Sequence, residues 1–178
     1  MEVQMRRYAT VTLLTLFLGI SQLFAQSSGK DVSKDVSQLF PDNSFQDAYI
    51  TPDSTVHVTL RYYGVIMNAM YVYSPSGCIV ARDLFGAVLH STLNVFVTLP
   101  AAQKVDIRCI QVPDDAAGGP TTTRCWFSVE RSSLSSQSLR DAMKALPTLS
   151  KSCSGKQRVL KAFSDYYLDG GVQRDLMQ

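Results

Sequence analysis

Hydrophobic and polar residues alternate with a period of two in several segments between residues 54 and 130. In residues 56–63 one side of the alternation is apolar, while the other carries His57 and Arg61. This pattern predicts a half-buried β-strand. Aliphatic and aromatic residues then predict a hairpin over residues 71–81 and one long or two short strands over residues 84–99.

Two further alternating segments, residues 104–111 and 124–130, match each other as an antiparallel hairpin. If Cys109 lies opposite Cys125, apolar residues oppose apolar residues along the whole of one side. On the polar side, Arg108 then lies opposite Trp126, a pair that suits a cation–π contact. The connecting segment, residues 113–120, is rich in the Pro, Asp and Gly residues of turns.

After residue 131 the hydrophobic spacing changes to that of helices. It predicts one helix that ends near Pro147 and a second that runs from about Ser154 to Gly170 and Gly171. Because strands precede helices instead of alternating with them, the predicted class is α+β. We expect a twisted antiparallel sheet of about six or seven strands in residues 54–130, covered on one face by two helices in residues 132–169.

The N-terminal segment has the pattern of a secretory signal peptide. Arg6 and Arg7 precede an apolar stretch that ends at Ala25, so residues 1–25 are the predicted signal. The polar, acidic residues 26–53 predict a flexible leader with a short helix before Pro41. Residues 54–178 are then expected to form one domain of a secreted or periplasmic protein that is soluble after cleavage.

The composition excludes several classes of protein. Hydrophobic residues make up 46% of the 178 residues and the net charge is only +2, which is not the composition of a disordered chain. The near balance of Lys and Arg with Asp and Glu is not that of a nucleic-acid-binding domain, so no nucleic acid is expected as a partner. The charge is unevenly spread, however, because basic residues outnumber acidic ones seven to one between Arg131 and Lys161.

The four cysteines favour disulfides, because their number is even and the compartment is expected to be oxidising. The hairpin register predicts a bond between Cys109 and Cys125, which leaves Cys78 to pair with Cys153. Their spacing matches no zinc module, so no metal is predicted.

No familiar catalytic motif is present. The sequence lacks the nucleophile elbow, the zinc-protease helix motif and the glycine-rich loops that bind phosphates. His57 and His90 are the histidines of the chain, and either could serve a hydrolase together with an aspartate. We assign no catalytic residue and no cofactor from the sequence.

Two groups of residues are candidates for binding. Aromatic and arginine side chains on strands have the composition of interface hot spots, and this group comprises Arg61, Tyr63, Arg108 and Trp126. Basic residues on the predicted second helix suit an anionic surface, and this group comprises Lys156, Arg158 and Lys161.

These observations favour a secreted or periplasmic binding protein without enzymatic activity, such as a receptor ligand, an inhibitor or an accessory subunit. Its partner is expected to be a protein. One alternative is a small secreted hydrolase that uses His57 or His90. The other is a protein that binds an anionic glycan or lipid surface through its basic C-terminal helices.

Overall fold

The computed structural model describes residues 29–40, 44–66, 77–113, 120–149 and 153–177. These residues form an α+β fold with a five-stranded mixed sheet and six α-helices. The predicted signal peptide, residues 71–76 of the predicted 71–81 hairpin and most of the predicted 113–120 loop lie outside the described residues. The strands are β1 (Phe45–Ile50), β2 (Thr55–Arg61), β3 (Lys104–Gln111), β4 (Thr122–Glu130) and β5 (Asp165–Leu168). The helices are α1 (Gly29–Ser37), α2 (Tyr62–Val65), α3 (Gly77–Thr98), α4 (Gln137–Ala145), α5 (Lys156–Leu160) and α6 (Gly170–Met177).

The strands lie in the order β1-β2-β3-β4-β5. Neighbouring strands are antiparallel except for β2 and β3, which are parallel. Parallel neighbours need a crossover connection, and α3 lies within it. The predicted class is therefore confirmed as α+β, whereas the prediction of an entirely antiparallel sheet of six or seven strands is wrong.

The error comes from α3, which occupies the region predicted as strands at residues 78–81 and 84–99. Its buried residues recur at intervals of three and four, the spacing of one helical face. Val and Phe residues in the same segment favour strands by composition. Spacing outweighs composition here because the helix is buried against the sheet.

The two ends of the described chain also differ from prediction. The short helix before Pro41 is confirmed as α1, but the predicted leader also contains β1, the edge strand that pairs with β2. The predicted second C-terminal helix is instead three elements: α5, β5 and α6. Gly170 and Gly171 begin a helix instead of ending one, because the Asp169 side chain accepts a hydrogen bond from the Val172 N–H at 2.7 Å.

The β3–β4 hairpin has the predicted register. Cys109 lies opposite Cys125, and Arg108 lies opposite Trp126. The register shifts just beyond Cys109, where Arg124 is the additional residue of a β-bulge. A bulge changes the direction of a side chain, and the Arg124 guanidinium group contacts the Tyr62 ring and Asp169 instead of following the outward alternation of Trp126.

The predicted bond between Cys78 and Cys153 is present. Cys109 and Cys125 face each other on adjacent strands, but they are free, fully buried thiols, so the bond predicted between them is not found in the structure. A hydrogen bond with Cys109 and burial raise the pKa of the Cys125 thiol, which keeps it protonated.

Candidate functional site

The two faces of the sheet have different surroundings. On the covered face, apolar side chains such as Val58, Ile107 and Phe127 are fully buried in one core with residues of α1, α3 and the C-terminal helices. On the open face, the alternate side chains of the same strands are polar or aromatic, and most are partly exposed. No described helix is long and apolar enough to cross a membrane.

One row of residues crosses the open face from edge to edge. Register partners on successive strands place Tyr49, His57, Asp106, Ser128 and Asp165 side by side. All five strands therefore contribute one side chain each to a single line. The row brings together an aromatic ring, an imidazole, a hydroxyl and two carboxylates.

Asp106 is the centre of this row. Its carboxylate accepts a hydrogen bond from the Ser128 hydroxyl and lies 3.1 Å from the Lys104 ammonium group. His57 approaches from the other side, with its Nδ1 atom 3.6 Å from Asp106 Oδ2. The Tyr49 ring stacks on the imidazole, with 4.8 Å between the ring centroids. These contacts fix the orientation of His57 between Tyr49 and Asp106.

The arrangement does not form a nucleophile–base pair. In a serine hydrolase the hydroxyl bonds to the histidine, and the aspartate orients the histidine from the far side. Here Ser128 donates to Asp106 and not to His57. His90, the other predicted candidate, is exposed on α3 and does not line this site.

A second row lies next to the first. It places Asp47, Thr59, Arg108, Trp126 and Tyr167 side by side across the five strands. The Arg108 guanidinium group donates to Thr123 Oγ1, with Nε at 2.7 Å, so the expected cation–π contact with Trp126 is replaced by a hydrogen bond. Within the described residues, the indole N–H of Trp126 has no hydrogen-bond acceptor.

The whole first row lines a groove of about 330 Å³ on the open face, together with the middle of the second row, Thr59, Arg108 and Trp126. This volume lies at the low end of the range for small-molecule sites. Apart from His57, the charged side chains at the groove are the cations Lys104 and Arg108 and the anions Asp106 and Asp165. Of the residues predicted for binding, Arg108 and Trp126 line this groove.

The remaining predicted binding residues lie elsewhere. Arg61 is exposed at the end of β2, where its Nε donates to Gln46 Oε1 at 3.0 Å. Tyr63 is exposed on α2, with its ring edge against Tyr62. Neither side chain reaches the groove.

The basic group lies on and just after α5, in the helical layer. Burial lowers the pKa of Lys156. Arg158 is exposed and lines a shallow depression together with Lys144 and Asp141. Lys161 is exposed immediately after α5. The two predicted groups therefore lie on different surfaces, since Arg108 and Trp126 are on the open face of the sheet and the basic group is in the helical layer.

Sequence reasoning missed Tyr49, Lys104, Asp106, Ser128 and Asp165 as groove residues. Lys104, Asp106 and Ser128 could have been found from the sequence. The correct hairpin register already put Asp106 opposite Ser128, on the same polar side as Lys104. Tyr49 and Asp165 lie on strands that were not predicted.

Comparison with protein-family models, with curated proteins and with solved structures finds no match for this chain. Among the described residues, no group of His, Cys, Asp and Glu side chains could hold a metal ion.

Proposed function

We propose that the protein is a non-enzymatic binding protein that acts outside the cytoplasm and binds its partner on the open face of the sheet. The observation that carries this proposal is the convergence of side chains from all five strands on one groove. The described helices pack against the opposite face, so the sheet presents this groove to solvent. Concave, partly polar sites with aromatic walls are the usual places where proteins bind ligands.

Two features support action outside the cytoplasm. The N-terminal sequence has the pattern of a secretory signal. Cys78 and Cys153 form a disulfide, and such bonds persist mainly in oxidising compartments.

The experiment compares two variants with the unmodified protein. The first carries Arg108→Ala and Trp126→Ala on the open face, and the second carries Lys156→Ala, Arg158→Ala and Lys161→Ala in the helical layer. Each protein is immobilised and exposed to the extracytoplasmic fluid of its source, and retained molecules are identified by mass spectrometry.

The proposal expects that a molecule retained by the unmodified protein is lost from the open-face variant and kept by the helical-layer variant. Loss from the helical-layer variant alone would instead support the alternative of an anionic glycan or lipid surface. Equal retention by all three proteins would contradict binding on the open face.

Hydrolysis at His57 is a second candidate function, favoured by one observation. His57 is oriented by Tyr49 and lies beside Asp106 in the groove, as a general base often lies beside a carboxylate. A panel of ester, amide and glycoside substrates tests this candidate. Turnover that is lost in His57→Ala, with folding unchanged by circular dichroism, would support it, and absence of turnover would remove it.

A further inference from the structure

We propose that the groove on the open face binds a short, neutral oligosaccharide. This inference rests on the proposed function, because it names the ligand of the same site. Three properties of the groove carry it: balanced charge, polar groups without partners, and aromatic rings on two strands that are not neighbours.

The charges at the groove compensate one another. Lys104 lies 3.1 Å from Asp106, so neither charge is left unpaired for a ligand. The Arg108 guanidinium group and the Asp165 carboxylate are opposite charges on the same surface. A strongly charged ligand would therefore meet attraction and repulsion together, whereas a neutral polar ligand meets no such conflict.

Several polar groups at the groove have no hydrogen-bond partner among the described residues. They are the indole N–H of Trp126, the Nε2 atom of His57 and the hydroxyl of Thr59. Donors and acceptors are mixed in this set, and the carboxylates of Asp106 and Asp165 add further acceptors. The hydroxyl groups of a sugar donate and accept at once, so one ligand can satisfy both kinds of group.

Aromatic side chains lie towards opposite ends of the groove. Tyr49 is on β1 and Trp126 is on β4, so their strands are about 14 Å apart at the usual strand spacing. Tyr49 is half-exposed although it stacks on His57. The C–H face of a sugar ring packs against an aromatic ring, and the separation favours a ligand with more than one ring.

Trp126 is the single tryptophan of the chain, so tryptophan fluorescence reports directly on the groove. The experiment titrates the protein with three neutral trisaccharides: maltotriose, cellotriose and triacetylchitotriose. Trigalacturonate and fully deacetylated chitotriose serve as the anionic and cationic probes. We expect a saturable change in Trp126 emission with at least one neutral trisaccharide, and an affinity that is unchanged between low salt and 0.5 M salt.

Calorimetry with the trisaccharide that binds then tests the residues. Trp126→Ala and Asp106→Asn are each expected to weaken binding at least tenfold, while Lys161→Ala, which lies outside the groove, leaves it unchanged. Circular dichroism checks that each variant is folded, and Trp126→Phe, which keeps an aromatic ring, is expected to retain part of the affinity.

Binding of a charged probe alone, with strong salt dependence, would overturn the proposal. Absence of saturable binding by all three neutral trisaccharides would also overturn it. In that case the capture experiment decides whether the open face binds anything at all. If a partner is lost from the Arg108→Ala, Trp126→Ala variant, the open face is a binding surface for another ligand. If no such partner is found, both proposals fail.

Discussion

The two faces of this sheet are built from the same strands but are stabilised in different ways. Phe127 and Trp126 are neighbours on β4 and point to opposite faces. The Phe127 ring is fully buried, and its centroid lies 4.6 Å from that of the Phe163 ring and 6.0 Å from that of the Phe85 ring. Trp126 is partly exposed and lines the groove on the open face. The covered face therefore stabilises the fold through close packing, and we expect substitutions on the open face to cost less stability.

The largest expected effect comes from substituting these two neighbours. Phe127→Ala removes a ring from the packed core and is expected to lower the free energy of unfolding by about 3–5 kcal/mol. Trp126→Ala leaves no cavity inside the core and is expected to cost about 1 kcal/mol. Denaturant unfolding of both variants measures the difference. Equal losses would show that the open face is packed as tightly as the covered one.

The disulfide on the covered side has the next largest effect. Cys78 and Cys153 are 75 residues apart in sequence, so their bond strongly restricts the unfolded chain. Replacing both by Ser is expected to lower the free energy of unfolding by roughly 2–5 kcal/mol. A change within error would mean that the ends of this loop are held together by other contacts.

Alkylation provides the control for the cysteine assignments. In the unreduced, unfolded protein, two cysteines, Cys109 and Cys125, should be modified, and in the native protein neither should react quickly because both are buried. If no cysteine reacts after unfolding without reductant, the pair is oxidised and the bond that the register predicts is formed after all.

Arg131, which directly follows β4, joins the covered side of the sheet to the C-terminal end of α3. Its guanidinium group donates to the carbonyl oxygens of Phe96 and Leu99, at 3.0 and 3.1 Å, and also to that of Ala102. Arg131→Ala leaves these partly buried carbonyl groups without a donor and is expected to cost about 2 kcal/mol. Arg131→Lys, which keeps the charge but not the planar group, should lose part of that amount. A loss as large as that of Arg131→Ala would mean that the charge contributes nothing.

The sequence predicted the β3–β4 register correctly because each row of that hairpin carries complementary residues. Cys109 opposite Cys125 and Lys104 opposite Glu130 agree with a single alignment. The bulge at Arg124 could not be foreseen, because its direction depends on Tyr62 and Asp169, which are distant in sequence.

The open-face groove was only half predictable for a similar reason. Arg108 and Trp126 follow from the hairpin alone, whereas His57 reaches Asp106 only because β2 lies parallel to β3. That neighbour relation depends on α3, which was taken for strands. A sheet predicted as all antiparallel places the wrong strand beside β3, so Tyr49 and His57 could not be assigned to the groove.

The smallest expected effect on stability comes from Asp53, in the turn between β1 and β2. The Asp53 carboxylate accepts hydrogen bonds from the Thr51 hydroxyl at 2.5 Å and from Thr55, and these bonds lower its pKa. Because the folded-state pKa is below the unfolded value of about 3.9, the contribution to stability is present above that value and is lost as the pH falls through the folded pKa. Asp53→Asn should therefore lower stability slightly at pH 6 and less at pH 2.5, measured by thermal unfolding at both values. If Asp53→Asn lowers stability equally at both pH values, the hydrogen bonds do not depend on the charge of the carboxylate. A large loss of stability at pH 6 would contradict the view that exposed polar contacts contribute little here.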